Sequence, residues 1–90
     1  MLQLRSAIDE KMDVKSNFPL EKREEFFILA SEIFEIERSL LNENTRYGDV
    51  SGWDSVNHLR LVMEAERRFG VSYPLEKIPL MRTLSDFLGI

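Results

Sequence analysis

Apolar residues recur at helical spacing between positions 19 and 34 of the chain, and polar residues fill most of the positions between them. The apolar positions with this spacing are Phe26, Phe27, Ala30, Ile33 and Phe34. Such a pattern is typical of an amphipathic helix with one face against a core. Pro19 suits a first turn because its φ is fixed and it lacks an N–H donor. The pattern therefore predicts a first helix that begins near Pro19.

The chain becomes polar and irregular from about Glu37 to Asp54. Four apolar side chains are spaced through this segment, and we expect them to anchor a long loop to the core. They are Leu40, Leu41, Tyr47 and Val50. Binding and catalytic residues are concentrated on loops that a rigid scaffold positions, so this loop is a candidate for a functional role.

A second helix is predicted from Ser55 to about Phe69, with Asp54 as its N-cap and Gly70 as a left-handed residue after its end. At about 100° per residue, its apolar side chains fall on two sides of the helix. One side holds His58, Val62, Ala65 and Phe69 with Leu61 at its flank, and the other holds Val56, Leu59 and Met63. Two interpretations are open. Either a small bundle buries both sides, or one side packs inside and the other, with its adaptable methionine, docks on partner proteins.

Two short helical pieces are predicted after the second helix. Pro74 and Pro79 enclose the residues LEKI, which leave room for about one turn of helix. Thr83 and Asp86 have capping-box spacing and open a last short helix that runs to Leu88. Because strand-like alternation is nearly absent, the chain is predicted to be all-α. The expected fold is a four-helix bundle with a long loop between the first two helices and a short third helix.

Residues 1–18 are predicted to form a helical extension to a folded domain of residues 19–90. Leu4, Ile8 and Met12 share one face of such a helix. Charged residues interrupt the apolar positions of this segment, so no signal peptide is expected.

Composition narrows the classes of function. Ninety residues, 43% hydrophobic and 31% charged, correspond to one small domain with little room for a deep catalytic cleft, which favours a monomeric binding or carrying protein over an enzyme. A net charge of -4 argues against a nucleic-acid partner. The longest apolar run, residues 26–30, is too short to cross a membrane. The absence of cysteine excludes disulfides and thiolate nucleophiles and is compatible with a cytoplasmic location.

Ser55 is the candidate for chemistry, and three roles can be weighed for it. A serine hydrolase would need a base, but the one histidine of the chain, His58, falls on the predicted core side, and the G-x-S-x-G motif is absent. A simple helix cap is a common role for serine, although Asp54 can cap this helix equally well. A modification site is the third role. A covalent phosphate is favoured at the first turn of a helix, and a separate enzyme would perform the transfer.

The residues around Ser55 form a recognisable motif together with the helix that follows. The segment GWDSV, residues 52–56, opens a helix that ends in EAERRFGV, residues 64–71. This combination resembles the G-x-D-S-L attachment motif and following helix of the acyl carrier proteins, with Val56 in place of the commoner leucine. A D-S dipeptide alone would be a weak signal, whereas the dipeptide at the right helix start is a specific one.

The resemblance extends in both directions from the motif and covers about Pro19 to Ile90. Upstream, residues 44–47 followed by Val50 are similar to the family's loop, in which apolar anchors precede the motif. Downstream, the LEKI piece and residues 83–88 are similar to its brief third helix and its fourth helix.

The resemblance implies a carrier that is not itself an enzyme. Ser55 would hold a 4′-phosphopantetheine arm, donated by coenzyme A through a phosphopantetheinyl transferase, and Asp54 would assist the transferase complex and its divalent metal. The thiol of the arm would hold an acyl or aminoacyl group as a thioester for loading and processing enzymes. Val56, Leu59 and Met63 match the positions where such carriers meet their partners. The alternative is an unmodified helical protein-interaction module with the same fold.

The charges of the second helix depart from carriers of primary fatty acid synthesis, in which this helix is strongly acidic. Basic residues outnumber acidic ones here: Arg60, Arg67 and Arg68 against Glu64 and Glu66. We therefore expect a dedicated pathway, such as polyketide, nonribosomal peptide or modified-sugar assembly, rather than bulk fatty acid synthesis. Arg67 and Arg68 suit the negative end of the helix dipole, so Arg60 is the better candidate for partner specificity.

Two aromatic residues near Ser55 have expected roles of their own. Trp53 is unusually large for its place before the acid. It is either an anchor buried under the loop or an exposed contact for the arm or a partner, and we expect partial burial and count it among the candidate partner-binding residues. His58 is expected to be packed or hydrogen-bonded near the core, lining the space that an acyl chain could enter.

Overall fold

Helices form the regular secondary structure of residues 18–90, which are the residues that the computed structural model describes. The α-helices are α1 (Arg23–Phe34), α2 (Ser55–Phe69) and α3 (Leu84–Leu88), and shorter 3₁₀ segments span Leu20–Lys22, Arg38–Leu40 and Leu75–Leu80. Within this part of the chain, β-type pairing is limited to one isolated bridge between Arg46 and Thr83. The predicted all-α class is therefore confirmed for residues 18–90. Residues 1–17 of the predicted extension lie outside the described residues.

The ends of the helices follow the capping signals of the sequence. The Asp54 carboxylate accepts a hydrogen bond from the Asn57 N–H at 2.9 Å, and Gly70 ends α2 in the left-handed conformation, with a φ of 69°. At the start of α3, Thr83 and Asp86 form the predicted capping box. α1 is preceded by a 3₁₀ turn directly after Pro19, which agrees with a predicted start near that residue.

The core lies mainly between α1 and α2, with α3 packed against it. The five predicted core positions of α1 are all buried. Phe18 also belongs to this core, because its ring lies 5.5 Å from that of Phe26 and 5.1 Å from that of Phe69. The core therefore includes Phe18, the residue directly before the predicted domain of residues 19–90.

The long loop between α1 and α2 is held by the anchors that the sequence predicts, with one exception. Leu41 and Val50 are buried and Tyr47 packs against the core, but Leu40 is 63% exposed. The 3₁₀ turn Arg38–Leu40 explains the exception, because it leaves Leu41 rather than Leu40 as the buried residue.

Backbone hydrogen bonds tie this loop to the start of α3. The Tyr47 N–H donates to the Arg82 carbonyl at 2.7 Å, and the Leu84 N–H donates to the Thr45 carbonyl at 3.1 Å. The loop is therefore a fixed part of the fold around the start of α2.

The short piece before α3 is longer than predicted. It is a 3₁₀ segment, Leu75–Leu80, that includes Pro79 rather than stopping before it. Ile78 is its buried residue, whereas Leu75 and Leu80 are 82% and 71% exposed. No helix within residues 18–90 is long and apolar enough to cross a bilayer.

Gly52 marks the place where the loop presses against the end of α1. A Cβ atom at this position would lie 2.1 Å from the Phe34 carbonyl oxygen. Because the obstacle is backbone, it cannot rotate away as the tip of a side chain would. The backbone can therefore approach the end of α1 this closely only with glycine at position 52.

We predict that Gly52→Ala destabilises the fold by about 1–3 kcal/mol, because the added methyl group forces the loop away from α1. Thermal unfolding followed by circular dichroism measures this as a lowered Tm. Ser51→Ala is the matched control, since Ser51 is exposed. An unchanged Tm for Gly52→Ala would mean that the loop does not press on α1 as described.

Candidate functional site around Ser55

Ser55 is the first residue of α2 and its side chain is exposed. It lies at the wall of a cavity of about 440 Å³. The lining of this cavity comprises Tyr47, Ser55, His58, Leu59, Leu75, Ile78, Pro79 and Arg82. The loop, α2 and the 3₁₀ segment thus surround an open space beside the hydroxyl group, and several of the side chains that face this space are apolar.

The hydrogen bonds of His58 are directed into the core. The indole N–H of Trp53 donates to Nδ1 at 3.0 Å, and Nε2 lies 2.8 Å from the Ile78 carbonyl oxygen. Nδ1 is therefore an acceptor and Nε2 carries the proton. Both ring nitrogens are engaged, so His58 is not available as a base for Ser55 in this conformation. The expectation of a packed, hydrogen-bonded histidine that lines the space beside Ser55 is confirmed.

Trp53 is more deeply buried than the sequence suggests. It is 2% exposed, and its ring stacks on that of Phe34 at 5.1 Å. Tyr47 and Phe87 contact it from other sides. Of the two alternatives for Trp53, the structure therefore shows the buried anchor, and the expected partial burial is wrong. A partner contact through Trp53 stays a prediction. The fold buries the ring because the polar N–H of the indole has His58 as a partner inside the core.

The two apolar sides of α2 have different environments. His58, Leu61, Val62 and Ala65 are buried. On the other side, Val56 is 66% exposed, Leu59 51% and Met63 65%. Burial of both sides by a small bundle is therefore excluded for the described residues. We call Val56, Leu59 and Met63 the exposed stripe.

The acidic residues of α2 are engaged with neighbours. Glu64 accepts a hydrogen bond from Arg67 at 2.5 Å and lies 3.5 Å from Arg68. The hydrogen bond from Arg67, above all, holds the pKa of the Glu64 carboxyl below its ordinary value. Glu66 accepts from the Tyr73 N–H at 2.8 Å, which ties α2 to the segment that follows it.

Arg60 is exposed beside the stripe and differs from the other arginines of α2. Its guanidinium donates a long hydrogen bond, 3.3 Å, to the neutral side chain of Asn57. Asn57 in turn donates to the Gly52 carbonyl at 2.7 Å. The stripe is therefore flanked by a positive charge that lies outside the ion pairs of the helix end.

Sequence reasoning missed Arg82 and the residues of the 3₁₀ segment as parts of the site. Arg82 lies over the ring of Tyr47, with 4.5 Å between the guanidinium carbon and the ring centroid. Both residues line the cavity beside Ser55. Periodicity could not reveal this, because the contact joins segments that are far apart along the chain.

A second cavity, of about 450 Å³, lies at the start of α1 and shares no lining residue with the cavity beside Ser55. Glu24 and Arg38 on its wall form an ion pair at 2.7 Å. The hydrogen bond from Arg38 holds the pKa of Glu24 below its ordinary value. Because both partners of this pair are satisfied, the cavity beside Ser55 is the better candidate for a binding site.

We predict that Trp53 and His58 are energetically coupled. His58→Phe keeps an aromatic ring in the core but leaves the indole N–H and the Ile78 carbonyl unpaired, so it should destabilise the fold by about 1–3 kcal/mol. Urea unfolding of both single variants and of Trp53→Phe/His58→Phe gives the coupling, expected at about 0.5–3 kcal/mol. Strictly additive effects would show that this hydrogen bond does not stabilise the fold.

No protein-family model matches this chain, and a search of curated proteins found no match to it. The interpretation of the site therefore depends on the residues and contacts described above.

Proposed function

We propose that this protein is a carrier that holds an acyl or aminoacyl group on a 4′-phosphopantetheine arm attached to Ser55. The observation that supports this most directly is the position of the hydroxyl group. It is exposed at the start of α2, on the wall of an open cavity, while the nearby histidine is committed to the core. A serine that another enzyme modifies must be accessible to that enzyme, and it needs no base of its own in the same chain.

The surroundings of Ser55 suit the phosphate of such an arm. The first turn of a helix leaves backbone N–H groups without intrahelical partners, and the positive end of the helix dipole favours an anion there. Asp54 satisfies one of these donors through Asn57 and holds the start of α2 in place. Beyond the hydroxyl group, Leu59, Ile78 and Pro79 offer apolar walls for the arm or its cargo.

The attachment itself transfers phosphopantetheine from the diphosphate (phosphoanhydride) linkage of coenzyme A to a phosphodiester linkage on Ser55. An Oγ–phosphorus bond forms at Ser55, the diphosphate linkage of coenzyme A breaks, adenosine bisphosphate leaves, and the transferase takes up the hydroxyl proton. The arm supplies a thiol that holds the cargo as a thioester. The contribution of this chain is to present Ser55, with Asp54 beside it, at a fixed and accessible position.

The order of the elements supports an acyl-carrier-like bundle. A first helix is followed by a long anchored loop, the helix that begins with Ser55, a short 3₁₀ piece in the place of a third helix, and a last short helix. The 3₁₀ piece, Leu75–Leu80, together with α2 encloses the cavity beside Ser55.

The exposed stripe is the proposed surface for loading and processing enzymes. Val56, Leu59 and Met63 lie on the same helix as Ser55, so a partner that covers them also reaches the arm. Arg60 flanks this surface, whereas Glu64 is neutralised by its arginine partners. Such a surface fits partners that lack a dense basic patch, which favours a dedicated pathway over bulk fatty acid synthesis.

The second candidate is an interaction module of the same fold that is never modified. The exposed stripe alone would serve this function, because it needs only a partner and no arm. The two candidates differ in whether Ser55 accepts phosphopantetheine.

We predict that incubation with coenzyme A, magnesium and a broad-specificity phosphopantetheinyl transferase adds one phosphopantetheine to the chain. Intact-mass spectrometry measures the adduct. Ser55→Ala should abolish it, because the acceptor oxygen is removed. Ser51→Ala, which removes another exposed hydroxyl four positions earlier, should leave it unchanged. An unmodified wild-type chain, or an adduct that persists in Ser55→Ala, would reject the carrier proposal and favour the interaction module.

We predict that Met63→Glu leaves the fold intact and weakens both modification and loading at least several-fold, because it places a charge in the exposed stripe. The rate of adduct formation and the circular dichroism spectrum measure the two effects. Leu40→Glu is the matched control, since Leu40 is equally exposed, at 63% against 65%, but lies away from α2. Equal rates for the two variants would mean that the stripe does not dock on these enzymes.

A further inference from the structure

Arg82 is an exposed cation at the cavity beside Ser55. Among residues 18–90, ion pairs within 4.0 Å join Glu24 to Arg38 and Glu64 to Arg67 and Arg68, and none includes Arg82. Arg82 and Ser55 line the same cavity. Within the described residues, the charge of Arg82 therefore has no ion-pair partner at this cavity.

The position of Arg82 is nevertheless fixed by its contacts. Its backbone N–H donates to the Asp86 carboxylate at 2.8 Å, and its backbone carbonyl accepts from the Tyr47 N–H at 2.7 Å. The central carbon of the guanidinium lies over the Tyr47 ring, 4.5 Å from the centroid. Tyr47 itself is held by Trp53 and His58. Arg82 is exposed, and its contact with Tyr47 keeps the cation at the wall of the cavity.

We propose that Arg82 binds an oxyanion of the arm that Ser55 carries. A guanidinium presents its N–H groups in a planar fork that matches the oxygens of a phosphate or carboxylate. The inference rests on the proposed carrier function and makes Arg82 a residue that positions the arm, and with it the cargo, against the cavity.

Two groups on a loaded arm have this chemistry. The first is the phosphodiester that links the arm to Ser55, which lies at the cavity wall in every modified form. The second is a carboxylate at the far end of a cargo that folds back along Leu59 and Ile78 towards Arg82. The phosphodiester is the nearer source, because Ser55 and Arg82 line one cavity.

The experiment follows the Nε–Hε signal of Arg82 by ¹H–¹⁵N NMR in five forms of the full chain. They are the unmodified chain, the chain phosphorylated on Ser55 by incorporation of phosphoserine during translation, the phosphopantetheinylated chain, and that chain loaded with butyryl or succinyl groups. Binding of an oxyanion should move the signal downfield, and modification should raise the Tm by a few degrees. Arg82→Gln should lose this gain, and Arg82→Lys should keep part of it.

Arg46→Gln is the matched control, because Arg46 is exposed in the same loop but does not line the cavity. This variant should keep both responses. A shift already present in the phosphorylated and phosphopantetheinylated chains identifies the phosphodiester, whereas a shift that appears only with succinyl cargo identifies the carboxylate. An unmoved signal in every modified form, or a gain in Tm that Arg82→Gln keeps in full, overturns the proposal. Failure of the transferase to modify Ser55 would reject the carrier function separately, since the phosphorylated chain still tests Arg82.

Discussion

The hydrogen bonds of His58 are the interaction on which the site depends. They join the loop, through the Trp53 indole, to the 3₁₀ segment, through the Ile78 carbonyl, and the histidine itself belongs to α2. These three parts of the chain are also the walls of the cavity beside Ser55. A buried donor and a buried acceptor would each be left unpaired without the imidazole, so the core constrains the histidine to this place. The position of Ser55, three residues earlier on the same helix, follows from that constraint.

The same helix serves the core with one side and the surface with the other. Leu61, Val62 and Ala65 face inward, and the stripe of Val56, Leu59 and Met63 faces outward. Glu64 is paired with neighbouring arginines, and Glu66 accepts a hydrogen bond from the Tyr73 N–H. The exposed stripe is therefore an apolar surface with Arg60 at its side. Partner recognition by such a surface would depend on shape and apolar contact more than on long-range attraction.

The sequence correctly predicted the start and end of α2 and the start of α3, because each depends on a few adjacent residues. The structure contains the Asp54 cap, the left-handed Gly70 and the Thr83–Asp86 capping box. Helical periodicity placed the apolar residues of α2 on two sides but left open whether both are buried, and the structure buries one side and exposes the other. Trp53 was misjudged because its burial depends on His58 as a hydrogen-bond partner, and no periodic pattern reveals such a pair.

Contacts between distant segments explain the remaining differences. Leu40 and Leu41 are equivalent by composition, and only the 3₁₀ turn before the loop decides which of them is buried. Gly52 is read from the sequence as part of a motif, yet its physical role in the fold is the close approach to the Phe34 carbonyl. Arg82 follows the apolar residues Leu80 and Met81, and it lies at the cavity beside Ser55, over the ring of Tyr47 from the distant loop.

The residues of the segment GWDSV, residues 52–56, have different structural roles. Gly52 is half-buried and permits the close approach to the backbone of α1, and Trp53 is buried and fills the space beneath the loop. Asp54 caps the helix, and Asp54, Ser55 and Val56 are all exposed. Substitutions at the exposed positions 55 and 56 should therefore have little effect on stability, whereas substitutions at Gly52 and Trp53 act on the fold. The residues that fix the start of α2 are thus separate from the residues that α2 exposes there.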